Sequence, residues 1–81
     1  MNLYKISQTV NYDYDTYDSA IVCAENEEDA RLTHPGTLYP VSYIGRECGS
    51  WTSKKNVKVE LIGIAVEDLK KGTIVASFNA G

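Results

Sequence analysis

Two short stretches of the 81-residue chain hold most of its chemically able side chains. The first is "GRECGSWTSKK", residues 45–55. Gly45 and Gly49 leave backbone N–H groups accessible, Ser50, Thr52 and Ser53 bring hydroxyls, and Arg46, Lys54 and Lys55 bring positive charge. Those are the donors a phosphate requires. Trp51, in their midst, offers a flat face for a base, a stacking contact worth roughly 1–3 kcal/mol. The competing reading is a solvated loop whose tryptophan plugs the core. The second stretch is "NYDYDTYDS", residues 11–19. Tyr12, Tyr14 and Tyr17 can stack on bases, and Asp13, Asp15 and Asp18 can accept N–H bonds from guanine or an exocyclic amine. The competing reading packs one tyrosine inward and sets the others at a subunit contact, where tyrosine is enriched. Together the two stretches give a candidate ligand set of Tyr12, Tyr14, Tyr17, Arg46, Ser50, Trp51, Thr52 and Lys54.

Other chemistries fit less well. Asp13, Asp15 and Asp18 carry the oxygen donors of a calcium loop. However, Tyr17 stands where a further ligand belongs, Asp18 where the sharp-turn glycine belongs, and no glutamate closes the loop. A solvated acidic hairpin connection is the better reading. Cys23, Cys48 and His34 lack the paired spacing of a zinc site. Cys48 with His34 is a conceivable nucleophile and base, with Arg46 able to lower the thiol pKa, but an unreactive loop thiol accounts for it as well. The sequence has no phosphate-binding P-loop, dinucleotide fingerprint or nucleophile elbow. We therefore expect no catalytic residue, no metal and no cofactor.

Size and charge set further bounds. We expect one domain, residues 1–81, and a complete small protein. A single core of this size supplies only about 3–5 kcal/mol, so self-association is the expected reinforcement. No basic segment leads into an apolar one at the N-terminus, so no secretory signal is read. A reduced, intracellular setting follows, and with it no disulfide between Cys23 and Cys48. No apolar run approaches the ~18 residues of a membrane span. The net charge of −3 disfavours duplex nucleic acid as a partner. The charge is uneven: residues 13–29 hold only acidic charges, whereas residues 46–58 hold Arg46, Lys54, Lys55 and Lys58 against Glu47 alone.

These residues need a scaffold, and its elements are legible. "LYKISQTV" (3–10) alternates Tyr4, Ile6 and Val10 with Lys5, Ser7 and Thr9, the period of a half-buried strand. "SAIVCAE" (19–25) is a short β-branched run, predicted as a central strand. With the acidic stretch between them, the two form an antiparallel pair. "NEEDARLTHP" (26–35) predicts a short helix capped by Asn26, with Glu27, Glu28 and Asp29 in the first turn and Pro35 as its stop. Ala30 and Leu32 or Thr33 are its candidate sheet contacts. "NVKVELIGIA" (56–65) turns Val57, Val59 and Leu61 inward and Lys58 and Glu60 outward, and gives Ile62 and Ile64 to the second face. "TIVASFNA" (73–80) is the last strand, expected to form a hairpin with the one before it. "YPVSYI" (39–44) is read as a short extended piece. The fold class is thus α+β: two layers, a four-stranded mainly antiparallel sheet and one short helix.

"YDTYDSAIVCAENEEDAR", "HP", Trp51, "VKVELIGIA" and "GTIVASFNAG" resemble, over nearly the whole chain, a family of small bacteriophage proteins. That family is similar to the anti-CBASS sponges, which sequester cyclic nucleotide immune signals without cleaving them. The resemblance implies a non-enzymatic protein of the host cytoplasm. It would bind a signal such as cyclic GMP–AMP or a cyclic ADP-ribose isomer near a subunit interface and so counter anti-phage defence. The ligand residues named above come from residue chemistry, not from a family motif. The acidic stretch supports a different expectation, an inhibitor that binds a host defence protein through a surface mimicking nucleic acid.

Overall fold

The computed structural model describes residues 1–10, 15–36, 45–46 and 50–79. Tyr12, Tyr14, Asp13, Cys48, Gly49 and the 39–44 piece lie outside them. The described chain runs β1 (Asn2–Ser7), β2 (Thr16–Ala24), α1 (Glu27–Arg31), a 3-10 turn (Lys54–Asn56), β3 (Lys58–Ile64) and β4 (Gly72–Asn79). The strands form one antiparallel sheet in the order β3-β1-β2-β4. This is the expected α+β class, a four-stranded antiparallel sheet with a single short helix.

The alternation of β1 sorts its side chains as anticipated. Tyr4 and Ile6 are buried while Lys5 is exposed. Val10 is not part of that inner face: β1 ends at Ser7, and Val10 is exposed. Ala20 pairs with Ile6 and Val22 with Tyr4, so four core side chains come from the two central strands. Ala24, Ala30, Trp51 and Val57 complete the buried cluster, with Tyr17, Val59 and Ala76 at its margin.

The helix is shorter than its sequence pattern. Asn26 does cap it, its Oδ1 accepting from the Asp29 N–H at 2.8 Å, and three acidic side chains fill the first turn. A five-residue helix offers the sheet a single fully buried side chain, Ala30. Leu32 and Thr33 are only half-buried. Most of the sheet's inner face must therefore be covered by something else, and Trp51 does this. Its exposure is 2%.

Two further sequence expectations are corrected. β3 and β4 are not a hairpin. They lie on opposite edges, β3 against β1 and β4 against β2, because β1 and β2 take the centre and 65–71 passes across the end of that pair. The Ala65 N–H donates to the Met1 carbonyl at the start of this passage. Second, Leu61 is not buried: it shares the face of Tyr4, its partner, yet is 62% exposed at the edge of the sheet. The β1–β3 register slips between Leu3 and Tyr4: Leu61 pairs with Tyr4 and Gly63 with Leu3, leaving Ile62 as an extra residue. Such a bulge interrupts the two-residue alternation only beyond Leu61, and at this end of the edge strand Leu61, Ile62 and Ile64 all stay exposed.

Trp51 is the largest side chain of this core. Trp51→Ala should cost about 3–5 kcal/mol, comparable to the entire stability of a domain this small. Urea denaturation followed by circular dichroism should show the variant largely unfolded in buffer. A midpoint within experimental error of the parent would show that the indole is not structural.

Candidate functional site

The cationic residues of 45–55 are brought together on one surface. Gly45, Arg46, Ser53, Lys54, Lys55 and Asn56 line an open cleft of about 520 Å³, a volume within the usual range for small-ligand sites. Among the described residues, none of Arg46, Lys54 and Lys55 has a carboxylate partner; the ion pairs are Arg31–Glu27 and Lys71–Asp29.

The backbone under the cleft is fixed at several points. The Lys54 N–H donates to the Gly45 carbonyl at 2.8 Å, and the Asn56 N–H to the Ser53 carbonyl at 3.0 Å. Asn56 Nδ2 donates to Thr52 Oγ1 and to Ser53 Oγ. Arg31 reaches across from α1, its guanidinium donating to the Val57 carbonyl and, at 3.5 Å, to that of Lys54. Gly45 is required on two grounds. Its φ is +85, and a Cβ there would stand 2.8 Å from Lys54 Cδ. Without a side chain, Gly45 lets the Lys54 stem lie against the backbone.

The other candidates from 45–55 are placed elsewhere. Trp51 is in the core, so its ring presents no open face for a base. Thr52 is buried and accepts from Asn56. Ser50 turns towards His34, its Oγ 3.1 Å from Nε2, and its carbonyl accepts from the Tyr17 N–H. Tyr17 packs its ring edge-on to His34, centroids 5.9 Å apart, and against Phe78 at 4.7 Å. Tyr17 thus takes the inward-packing role among the three tyrosines, and Tyr12 and Tyr14 lie outside the described residues. Of the set drawn from the sequence, Arg46 and Lys54 line the cleft, and Ser53, Lys55 and Asn56 join them.

Sequence reasoning missed the cluster around His34. Gly36 donates its N–H to His34 Nδ1 at 2.9 Å, so Nδ1 is the acceptor and Nε2 carries the proton towards Ser50. This is the wrong tautomer for a base that would take the serine proton, which must offer a lone pair at the contacting nitrogen. The pair is a structural clasp: the His34 carbonyl also accepts from Thr73 Oγ1 at 3.0 Å, tying the segment after α1 to β4. The Pro35 that follows His34 is the only signal in the sequence for this arrangement.

Among the described residues, no group of three or more His, Cys, Asp or Glu side chains is placed to hold a metal ion, and no helix is long and apolar enough to cross a membrane. No protein-family model, curated protein or solved structure matches the chain.

Burial lowers the His34 pKa below its usual 6.5, and protonating Nδ1 would set two N–H groups against each other. With the folded-state pKa depressed, the unfolded chain binds more protons. The stabilisation from neutral His34 is present above about pH 6.5 and is lost as pH falls through that value towards the folded pKa. Thermal melts from pH 8 to 5 should show the parent losing stability across this window, and His34→Gln a flatter profile there. Parallel profiles would exclude His34 as the group responsible.

Proposed function

We propose that this protein is a non-enzymatic binding protein that captures a small, multiply anionic nucleotide at the Arg46–Lys54–Lys55 cleft. The observation that carries the reading is the convergence of three cations, without described carboxylate partners, on a cleft of ligand size. A phosphate there would gain charge-assisted hydrogen bonds from side chains that project from a hydrogen-bonded backbone. The resemblance to phage sponges supplies the ligand class: a cyclic nucleotide immune signal such as cyclic GMP–AMP or a cyclic ADP-ribose isomer. On that reading the protein serves a bacteriophage within the host cytoplasm, and sequestering the signal counters host defence. A sponge requires binding without turnover, and the Ser50–His34 pair, the most enzyme-like contact described, is held in a tautomer unsuited to base catalysis.

The base-recognition half of the ligand set changes with the fold. Trp51 is committed to the core, so the cleft's own contribution is phosphate recognition. A base would find its aromatic partners beyond the six residues that line the cleft. Ligand affinity is then dominated by charge and is salt-dependent.

A second reading rests on the opposite surface charge. Glu25, Glu27 and Glu28 are exposed at the start of α1, and only Glu27 has a described cationic partner, Arg31. An acidic surface of this kind suits a host defence protein whose own ligand is a nucleic acid.

The test is a titration of the protein with cyclic dinucleotides and cyclic ADP-ribose isomers, followed by denaturation and analysis of the nucleotide recovered. We expect binding by at least one member of the panel and its recovery intact. Arg46→Ala and Lys54→Ala should each weaken that binding by about 1.5–3 kcal/mol with little change in melting temperature. Altered nucleotide would mean an enzyme. No binding anywhere in the panel would overturn the nucleotide reading and leave the acidic surface as the alternative.

A further inference from the structure

We propose that Arg31 is the positioning residue of the cationic cleft, and that through it the order of α1 is coupled to the affinity of the cleft for anions. The proposal rests on the anion reading of that cleft. The turn Lys54–Asn56 supplies half of the residues that line it. This turn is held by hydrogen bonds and not by packing. None of its side chains is buried, and Ser53, at its N-terminal cap, makes no side-chain capping bond. A 3-10 turn has poorer hydrogen-bond geometry than an α-helix, so three residues of it depend on their surroundings. Helix α1 has little packing of its own: it has five residues, with Ala30 as its one fully buried side chain.

Arg31 joins the two. It is the last residue of α1, and its Nη1 donates to the carbonyl of Val57 and, at 3.5 Å, to that of Lys54. These carbonyls flank the turn: Lys54 opens it and Val57 follows it. Nη2 donates to Glu27 Oε1 at 3.2 Å, one helical turn back. The side chain is only 26% exposed, so the guanidinium acts as a brace between helix and turn. It does not line the cleft, and two of its nitrogens are engaged by three oxygens. The planar fork of an arginine can hold several acceptors in fixed directions, whereas a lysine ammonium is a compact point charge.

The brace sets where the Lys54 and Lys55 side chains leave the backbone. An anion gains most from cations whose positions are fixed before it arrives, because ordering them on binding costs free energy. Without Arg31 the charges of the cleft remain, but the turn loses its tie to the helix and the anion has to order it. Coupling of this kind is reciprocal. An anion that fixes Lys54 and Lys55 also fixes the carbonyls that hold Arg31. It thereby steadies α1, although no residue of α1 lines the cleft. A role in charge alone makes the opposite prediction at Glu27. Removing an acidic side chain near an anion strengthens binding by Coulomb's law, whereas removing the group that orients Arg31 weakens it.

The probe is inorganic pyrophosphate, titrated into the full chain by calorimetry. Arg31→Gln and Arg31→Lys should each weaken its binding about 5-fold or more, the lower end of typical coupling between sites, in protein that circular dichroism shows to be folded. Glu27→Ala, at an exposed position, is the milder variant if those two fail to fold. It should weaken binding by up to about twofold, the size of an i,i+4 ion pair. Pyrophosphate should also slow hydrogen exchange at the Leu32 and Thr33 amides, which donate to the carbonyls of Glu28 and Ala30. Full affinity in Arg31→Lys would make Arg31 a source of charge only and overturn the proposal. Tighter binding in Glu27→Ala, or α1 exchange that ignores pyrophosphate, would do the same. If the parent binds pyrophosphate and folded Arg31→Gln binds it equally well, this inference fails and the cleft reading stands. If the parent binds neither pyrophosphate nor any nucleotide of the panel, the cleft reading fails and this inference falls with it.

Discussion

One apolar surface governs the structure: the inner face of the β1–β2 pair, where Tyr4, Ile6, Ala20 and Val22 lie side by side. Each of these strands is paired on both edges, so their backbone groups are satisfied and the remaining requirement is a cover for the side chains. A five-residue helix cannot supply it. Its one fully buried side chain is an alanine, and a helix this short is not stable without packing. The indole of Trp51 fills the difference. Trp51 therefore has to lie over the sheet, and Thr52 is buried next to it in sequence.

That requirement explains the construction of the cationic cleft. With Trp51 fixed in the core and Thr52 buried beside it, Lys54 and Lys55 are drawn to a defined position at the entry to β3. Arg31 spans from the helix to the carbonyls of Lys54 and Val57, so the same contact secures the helix and the floor of the cleft. On the other side of Trp51, Ser50 meets Tyr17 and His34. The described residues around Trp51 are thus held on both of its sides. Burial of Trp51 has a cost of its own: its Nε1 finds no hydrogen-bond partner among the described residues, a penalty of roughly 1–3 kcal/mol offset by the apolar area the ring removes from water.

The strands were readable because each carries a local pattern. Alternation placed Tyr4 and Ile6 correctly, and the N-cap signal at Asn26 located the start of the helix. What misled was whatever depended on pairing between distant segments. The β3–β4 hairpin was inferred from adjacency in sequence, yet the centre of the sheet belongs to β1 and β2. Alternation correctly puts Leu61 on the face of Tyr4, its partner, but whether that end of an edge strand is covered depends on other segments, and Leu61 stays exposed. The cations of the site were legible as a cluster because they are close in sequence. The fate of Trp51 was not, because a tryptophan among glycines, serines and lysines reads equally as ligand platform or as core. The length of the helix decides between them, and the sequence pattern overstated that length.

The division of charge now has a structural sense. Glu25, Glu27 and Glu28 are exposed around the start of the helix, whereas Arg46, Lys54 and Lys55 gather before β3, so local surfaces of opposite sign coexist on a chain of net −3. A small anion near such a molecule is repelled by the whole and attracted by one part. Screening reduces the repulsion first, because it acts over distances beyond about 10 Å at 0.1 M salt, while contacts inside the cleft are shorter than that. Moderate ionic strength therefore favours a local cationic cleft over the overall charge of the protein. A net acidic chain can hold an anion on these terms, provided its cations are positioned by the fold instead of spread along a flexible loop, and it is the burial of Trp51 that positions them.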